Sequence, residues 1–195
     1  MTSKFTTFAL IRHMPTVWNA EGRLQGQRDT PLDPAAIPDW RLPPELAGFR
    51  FLASPLARTL ATAERLGVSP QIEPRLIEMS WGEWEGHTLA ELRASFAGSL
   101  DELEAQGLDF RTPGGESPRD VQARVGPLLA EIAASGRPTA AVTHKGVIRP
   151  IFALATGWNM LGKQPYRLSW SAAHLFRLDA DGHPSIDRLN LSLER

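Results

Sequence analysis

Residues 8–32 read FALIRHMPTVWNAEGRLQGQRDTPL, and this stretch decides the fold. The apolar run from Phe8 to Ile11 predicts a buried β-strand, and Arg12 and His13 follow it directly. In an open α/β sheet, ligands bind just beyond the carboxyl ends of the strands. Because Arg12 and His13 stand at such an end, we predict that the loop after this strand holds a phosphate and that His13 attacks it.

The composition restricts the class of protein. The 195 residues are 42% hydrophobic and 22% charged, which is typical of one globular domain. The net charge of −1 and the lack of a Lys/Arg run argue against a nucleic-acid partner. The chain has no cysteine, which excludes disulfides, thiolate chemistry and Cys-based zinc sites. No apolar run approaches the ~20 residues that cross a bilayer, and MTSKFTTF is unlike a signal peptide, so we expect a cytoplasmic protein without a membrane partner.

Apolar runs at 5–12, 49–53, 70–77 and 139–143 predict the strands of a sheet. After the second run, Ser54 and Pro55 predict the start of a helix, which places Arg58 in its first turn. Gly67 predicts the end of that helix. The prolines within 33–48 break helix and strand alike, so this segment is predicted to be a loop with at most one helical turn.

The second half of the chain continues the alternation of predicted strands and helices. Ser117 and Asp120 predict a capped helix start, and apolar residues at helical spacing extend from there to Gly136. Another helix is predicted after His144, and segments 172–178 and 185–191 predict a terminal hairpin. The pattern predicts one α/β domain over 1–195 with a mostly parallel sheet. Residues 78–115 are predicted to be an excursion over the active-site face, with helices at 88–96 and 99–106.

Cationic or ionisable nitrogens follow three of the strands, at Arg12–His13, Arg58 and His144. If these strands are parallel neighbours, the side chains meet at one edge of the sheet. The forked guanidinium matches phosphate oxygens, whereas two arginines repel a divalent metal and keep nearby imidazoles neutral. A neutral imidazole beside a phosphoryl group is a potential nucleophile, and the reaction then needs an acid for the leaving oxygen.

The chain resembles the histidine phosphatase superfamily, the phosphoglycerate mutase-like proteins. The resemblance rests on five blocks in the family's order, namely LIRHMPTVWNAEGRLQGQRDTPL, SPLARTLATAE, LIEMSWGEWEG, TPGGES and VTHKGVIR. It implies a three-layer α/β/α sandwich and a phosphohistidine intermediate, without metal or organic cofactor. Carried over by position, His13 is the nucleophile, Glu78 is the proton donor, and three residues clamp the phosphoryl oxygens: Arg12, Arg58 and His144. Thr16 and Asn19 match further phosphate-loop contacts.

The chain departs from the family pattern at two places in the site. Met14 and Pro15 replace the usual Gly followed by Glu or Gln, which affects the shape of the phosphate loop. Lys145 replaces the Gly found after the second histidine in many members, so an extra cation is expected at the site. The Pro-rich segment also replaces an expected helix, and we expect it to build the substrate pocket together with the excursion.

Several residues have two interpretations. Glu83 and Glu85 are alternatives to Glu78 as the acid. Arg23, Gln25 and Gly26 either line the pocket or shape the loop. Trp81 and Trp84 belong either to the core or to the substrate wall. The three remaining histidines are expected to be structural or at the surface, namely His87, His174 and His183.

The sequence favours a metal-independent phosphatase that acts on a small phosphorylated metabolite. The alternatives are a phosphoglycerate mutase, which returns the phosphate to a substrate hydroxyl, a non-catalytic binder of phosphorylated ligands, and a metallohydrolase. Family mutases that use a bisphosphate are generally longer and carry a C-terminal tail over the site, which favours hydrolysis here. Tryptophans at the surface would suit a homodimer.

Overall fold

A computed structural model of the protein describes residues 5–95 and 99–194. Strands and helices alternate along most of the chain. The strands are β1 (Thr6–Arg12), β2 (Arg50–Ala53), β3 (Gln71–Ile72), β4 (Thr139–Thr143), β5 (Ala172–Leu178) and β6 (Pro184–Ser192). The helices are α1 (Val17–Ala20), α2 (Ala57–Arg65), α3 (Leu89–Ser95), α4 (Ser99–Glu104), α5 (Pro118–Ser135) and α6 (Lys145–Thr156).

The six strands form one sheet in the order β3-β2-β4-β1-β5-β6. The pairs β3–β2, β2–β4 and β4–β1 are parallel, whereas β5 and β6 are antiparallel to their neighbours. Val142 of β4 lies opposite both Ile11 of β1 and Ala53 of β2. The carboxyl ends of these three strands are therefore level, and the segments after them meet at one edge of the sheet. The predicted mostly parallel sheet and the terminal hairpin are confirmed.

The alternation of side chains along β1 produces two separate cores. Phe8 and Leu10 point to one face of the sheet, where they share a buried cluster with residues of α5 and α6. Ala9 and Ile11 point to the other face and pack in a cluster with α2 and the Pro-rich segment. A strand that is buried on both faces needs helices or loops to cover each face of the sheet. The predicted three-layer α/β/α sandwich is therefore confirmed.

The third predicted strand is shorter than the sequence indicates. The prediction covered 70–77, but only Gln71 and Ile72 pair with β2. Pro74 lacks the N–H that a longer ladder requires, and the chain turns into a 3-10 helix over Pro74–Leu76, capped by the side chain of Glu73.

Helix α2 begins later than Ser54 and Pro55 predict. Its first residue is Ala57, and the backbone N–H of Ala57 donates to the carboxylate of Asp29 at 2.8 Å. A side chain from the 26–29 loop therefore replaces the predicted local cap. Arg58 lies in the first turn of the helix, as predicted.

The Pro-rich segment 33–48 is mostly irregular, with one 3-10 turn over Pro44–Leu46. It is tied to the end of the chain by a bridge between Trp40 and Glu194 and by a hydrogen bond from the N–H of Arg41 to the carbonyl of Leu193 at 2.8 Å.

In the excursion, α3 and α4 fall where helices were predicted, although residue 96 lies outside the described residues. Trp84 and Leu92 are buried there with Trp81, Leu103 and Phe110 packed around them. The helices of the described residues include none with the length and apolar character that crossing a membrane requires.

Candidate active site

The loop after β1 is fixed to both neighbouring elements. The backbone N–H of His13 donates to the carbonyl of Thr143 at 2.9 Å, which extends the β1–β4 ladder by one residue. The N–H of Met14 donates to the hydroxyl of Thr62 on α2 at 2.9 Å. His13 is therefore held by backbone contacts, so that its side chain faces the end of the sheet.

The His13 imidazole is buried and neutral. Its Nδ1 lies 2.7 Å from the carbonyl oxygen of Met14, and since a carbonyl only accepts, Nδ1 carries the proton. The lone pair therefore resides on Nε2. Burial lowers the pKa of His13 to about 3, and the charges of Arg12 and Arg58 act in the same direction. This geometry agrees with the predicted neutral imidazole. Burial lowers its pKa more than the two arginines do.

His144 lies next to His13, with ring centroids 5.2 Å apart, and it is fully buried. The Nε–H of Arg58 donates to its Nδ1 at 3.3 Å, which places the proton of the neutral ring on Nε2. That nitrogen lies 2.7 Å from the hydroxyl of Ser54. Burial and the nearby cations hold the pKa of His144 well below its usual value. Ser54, which the sequence suggested as a helix cap, therefore orients a site histidine, and its place in the SPLART block was the available signal.

Arg58 connects helix α2 to the 26–29 loop. Its side chain is fully buried, and it donates to the carbonyl of Gly26 at 2.6 Å and to the carbonyl of Arg28 at 2.8 Å. Together with the bond to His144, these contacts use three of the five N–H groups of a guanidinium. The other two N–H groups of Arg58 make no hydrogen bond among the described residues, and the carboxylate of Asp29 lies 3.9 Å from Nη1.

Arg12 has no protein acceptor among the described residues. Its Nε is buried without a hydrogen-bond partner, and the guanidinium lies 5.5 Å from the ring centroid of Trp170. Burial lowers the pKa of Arg12, while the charge of Glu78 raises it. A half-buried cation with unused donors is suited to an anionic ligand.

Glu78 is the carboxyl group that the fold buries at this site. Burial raises its pKa to about 7, against the lowering effect of a hydrogen bond from the N–H of Met79 to Oε1 at 2.8 Å and of the charges of Arg58, Arg12 and Arg124. At neutral pH the group is therefore present in both protonation states, as a group that donates and accepts protons requires.

A second layer of contacts holds the segment that carries Glu78. Arg124 of α5 donates to the carbonyls of Arg75 and Ile77, the latter at 2.7 Å, and forms an ion pair with Glu116 at 2.8 Å. Glu116 also accepts the N–H of Ser80 at 2.9 Å. No pattern in the sequence marks this role of Arg124 and Glu116, since they pair with each other and with backbone groups of a distant segment.

Glu83 and Glu85, the other glutamates of the LIEMSWGEWEG block, have surroundings that differ from those of Glu78. Glu83 is exposed. Glu85 is buried, but its carboxylate accepts backbone N–H groups of Gln27 at 3.0 Å and Trp81 at 3.1 Å. These contacts fix two loops and give Glu85 a structural role, so Glu78 stays the predicted acid.

Thr16 and Asn19 cap each other at the start of α1. The hydroxyl and the N–H of Thr16 both lie 3.0 Å from the side-chain oxygen of Asn19. Thr16 is buried, whereas Asn19 lines the pocket beside His13.

The remaining loop residues predicted to bind substrate make contacts that shape the loop. Arg23 donates to the carbonyl of Gly86 at 2.7 Å and pairs with Glu21, and Gln25 accepts the hydroxyl of Thr30 at 2.7 Å. Gly26 adopts φ of +53° and offers its carbonyl to Arg58. Of the two interpretations of Arg23, Gln25 and Gly26, the contacts support the structural one.

His13 opens onto a pocket of about 430 Å³. Besides Arg12 and Asn19, its walls include Pro38, Trp40, Trp170 and Glu194. The Pro-rich segment therefore builds one wall, as expected, and the end of the chain builds another. The excursion was expected to contribute to the pocket, and this prediction is wrong: none of the described residues of 78–115 lines it, and Trp81 and Trp84 pack in hydrophobic clusters instead. Three of the predicted site residues are buried and are not among the residues that line this pocket, namely Arg58, Glu78 and His144. No pattern in the sequence marked Trp170 or Glu194.

Other histidines lie away from this arrangement. His174 is buried on β5, and burial lowers its pKa to about 4. His87 and His183 are exposed. His183 belongs, with Asp179 and Asp181, to the only group of close potential metal ligands found in the described part of the chain. In this hairpin turn Asp179 accepts the N–H groups of Asp181 and His183, which accounts for the proximity of the three residues.

Gly146 is the residue that lets Glu78 approach helix α6. A Cβ atom at position 146 would lie 2.4 Å from Oε1 of Glu78 and 3.0 Å from Cβ of Met79. We expect Gly146→Ala to displace the carboxyl group and to lower kcat for an alkyl phosphate by about tenfold or more. The loss should be smaller for p-nitrophenyl phosphate, whose leaving group needs less protonation. Steady-state assays on both esters provide the comparison.

Gly126→Ala is the matched control, because a Cβ atom at this other helical glycine meets nothing within 4 Å. It should leave the ratio of the two activities at the wild-type value. Equal behaviour of the two variants would contradict the contact between Gly146 and Glu78.

The fold and the site define a class of α/β/α proteins in which two neutral histidines and two arginines meet at the carboxyl edge of the sheet. Over residues 8–192 the chain matches the model of the histidine phosphatase superfamily (branch 1). The chain belongs to this superfamily.

Relatives within the superfamily carry two kinds of name. The chain is 32% identical over 176 aligned residues to the glucosyl-3-phosphoglycerate phosphatase of Mycobacterium tuberculosis, with 78% of each chain covered. It is 34% identical over 140 residues to the probable phosphoglycerate mutase GpmB of Salmonella paratyphi C, which covers 66% of this chain and 65% of that one. The solved complex of the mycobacterial glucosyl-3-phosphoglycerate phosphatase with inorganic phosphate is also similar, with a TM-score of 0.75 at 25% identity over 96% of this chain and 98% of that one.

Proposed function

We propose that this protein is a metal-independent phosphomonoesterase that hydrolyses a small phosphorylated metabolite through a phosphohistidine on His13. The observation that carries the proposal is the state of His13. The ring is neutral, its Nδ1–H is held by the Met14 carbonyl, and Nε2 keeps its lone pair next to the unpartnered donors of Arg12. An imidazole in this tautomer is ready to attack without first losing a proton.

In the first half-reaction, Nε2 of His13 attacks phosphorus and the bond to the ester oxygen breaks. Arg12 and the two remaining N–H groups of Arg58 stabilise the charge on the phosphoryl oxygens. Both ring nitrogens of His144 are used within the protein, Nδ1 by the Nε–H of Arg58 and Nε2–H by the Ser54 hydroxyl, so His144 contributes by orienting Arg58. The protonated form of Glu78 gives its proton to the leaving oxygen.

In the second half-reaction, the Glu78 carboxylate takes a proton from water while the water oxygen bonds to phosphorus. The bond from phosphorus to Nε2 breaks, which releases inorganic phosphate and restores neutral His13 and protonated Glu78. A pKa of about 7 for Glu78 suits a group that acts first as an acid and then as a base.

The second candidate is a phosphoglycerate mutase, which the GpmB relative favours. The two activities share the first half-reaction and differ in the acceptor, which is water for the phosphatase and a substrate hydroxyl for the mutase. The name of the mycobacterial relatives supports hydrolysis.

We expect the protein to release inorganic phosphate from p-nitrophenyl phosphate in excess EDTA, at the rate measured without EDTA. The site offers two arginines and two neutral histidines, so a divalent cation is not expected to be required. The parallel assay mixes 3-phosphoglycerate with a catalytic amount of 2,3-bisphosphoglycerate and follows 2-phosphoglycerate and free phosphate. Isomerisation faster than phosphate release would identify a mutase, and loss of turnover in EDTA would identify a metalloenzyme. No turnover in either assay would leave a binding protein.

A further inference from the structure

Three cationic side chains, of which Arg12 lines the pocket and Lys145 and Arg149 do not, have no anionic partner among the described residues. Lys145 and Arg149 stand one turn apart on α6, and Arg12 ends β1. Within the described residues, none of the three makes a side-chain hydrogen bond, and no carboxylate lies within 4 Å of their nitrogens; their printed contacts are with aromatic rings. The Nε atoms of Arg12 and Arg149 are moreover buried without a partner. Cations clustered in this way repel one another, so a bound anion would stabilise them.

Trp170 links two of these cations to the substrate pocket. The guanidinium of Arg12 lies 5.5 Å from its ring centroid and the ammonium of Lys145 lies 5.6 Å from the same centroid, so the two groups are at most about 11 Å apart. Trp170 and Arg12 both line the pocket that contains His13. Lys145 also follows His144 directly in the chain, and the His144 ring is 5.2 Å from that of His13. An anion held by Lys145 is therefore close to the phosphoryl group that His13 would attack.

The electrostatics agree with this placement. Lys145 is exposed, as Lys163 is, but partial desolvation lowers its pKa, the charges of Arg149 and Arg12 lower it further, and the charge of Glu78 raises it. Glu194 also lines the pocket, but it is joined to Trp40 and is not within the ion-pair distance of Lys145. The Lys145 side of the pocket therefore carries net positive charge, whereas the Trp40 side carries a carboxylate.

We infer that Lys145, supported by Arg12 and Arg149, forms an accessory anion subsite, and that the preferred substrate is a compact phosphate ester with a second anionic group. The inference rests on the proposed phosphatase function and specifies its substrate class. The second group is a carboxylate or another phosphate, since both present oxygens to an ammonium. A phosphate ester without a second anionic group would place its phosphoryl oxygens at Arg12 but would leave Lys145, on the other side of Trp170, without an anionic partner.

The test compares two matched pairs of substrates. 3-Phosphoglycerate is paired with glycerol 3-phosphate, which lacks the carboxylate, and fructose 1,6-bisphosphate is paired with fructose 6-phosphate, which lacks the second phosphate. We expect wild type to prefer the doubly anionic member of at least one pair by about tenfold or more in kcat/KM. In Lys145→Gln this preference should fall by about tenfold, mainly through KM, and Lys145→Arg should retain most of it. The preference should also weaken as ionic strength rises.

Lys163→Gln is the control, because it removes the same charge from an exposed lysine in the loop after α6, and it should keep the wild-type preference. A preference confined to the glycerol pair assigns the second group as a carboxylate, and one confined to the fructose pair assigns it as a phosphate. Equal kcat/KM within both pairs for wild type, or a preference that survives in Lys145→Gln, would overturn the inference. Failure of the phosphatase proposal is separate, since it would show as no phosphate release from any ester, including p-nitrophenyl phosphate.

Discussion

The substitution His13→Ala is expected to lower kcat for p-nitrophenyl phosphate by at least about 10⁴-fold, because it removes the atom that accepts the phosphoryl group. Arg12, Arg58 and Glu78 would still bind and polarise the ester, so a small residual rate and a measurable KM should remain. Release of p-nitrophenol under steady-state conditions measures the loss.

Two further measurements separate a nucleophile from a structural histidine. Wild type mixed with substrate and quenched in alkali should carry a phosphate that is stable in base and lost in acid, as a P–N bond is, and His13→Ala should carry none. Added imidazole should partly restore activity to His13→Gly, since the free base can enter the vacated position. His87→Ala removes an exposed histidine and should match wild type. A phosphorylated His13→Ala enzyme would assign the nucleophile elsewhere.

Folding of the His13 variant can be checked through the pH dependence of stability. The pKa of His13 is lowered from 6.5 to about 3 in the folded chain, so the unfolded state binds the extra proton between these values. Wild type therefore loses stability from this group as pH falls from about 6.5 toward 3. His13→Ala should lack that loss and unfold at a temperature closer to its neutral-pH value, as thermal denaturation at pH 5 and pH 7 would reveal.

The second large effect is expected for Glu78→Gln, and it should depend on the leaving group. An alkyl phosphate needs a proton on its leaving oxygen, so kcat/KM for such an ester should fall by about 10²–10⁴-fold. p-Nitrophenolate leaves without protonation, so the loss in kcat/KM for its ester should be about tenfold or less. A series of esters with leaving groups of increasing pKa should give a steeper dependence for the variant than for wild type. Equal losses across the series would mean that Glu78 only maintains the structure.

The pH profile tests the same role of Glu78. With a pKa of about 7, the acid form is present below pH 7 and is lost above it, so wild-type kcat/KM for alkyl phosphates should fall as pH rises through 7. Glu78→Gln should lack this fall. Glu83→Gln, at an exposed position of the same block, should retain it. If the alkaline fall persists in Glu78→Gln, another group is responsible.

Stability supplies an independent test with the opposite pH direction from His13. The folded pKa of Glu78 lies above its usual value of 4.5, so ionising the group destabilises the folded state. The stability it contributes is present below about pH 4.5 and is lost as pH rises toward 7 and beyond. Glu78→Gln should therefore unfold at a higher temperature than wild type at pH 8 and at a similar temperature at pH 4.5.

The sequence predicted correctly those elements that depend on residues close together in the chain, and it missed details that depend on distant segments. Strand β1, the place of Arg58 in the first turn of a helix, and the terminal hairpin follow from the hydrophobic period and from Pro and Gly, which act within a few residues. The end of β3 was missed because a strand at the edge of the sheet pairs on one side only, and Pro74 then decided its length. The start of α2 was missed because its cap, Asp29, comes from a distant loop.

For the site, the sequence by itself determined which residue types follow the strands and that Arg12, His13, Arg58 and His144 would meet if the strands were parallel neighbours. These conclusions require only local pattern and the order of the family's blocks. The tautomers of the two histidines depend on the Met14 carbonyl, Ser54 and Arg58, and were decided by the tertiary structure alone. Protonation and tautomer depend on burial and on partners brought from remote parts of the chain, which sequence spacing does not specify.

The same distinction holds for the walls of the pocket. Lys145 was visible in the sequence as an added cation, but its place beside Trp170 and Arg12 required the fold. Trp40 and Glu194 are 154 positions apart and meet through a backbone bridge. The sequence therefore determined the elements and the chemistry of the reacting groups, whereas the tertiary structure decided the pocket, because contacts between distant segments depend on how the layers pack.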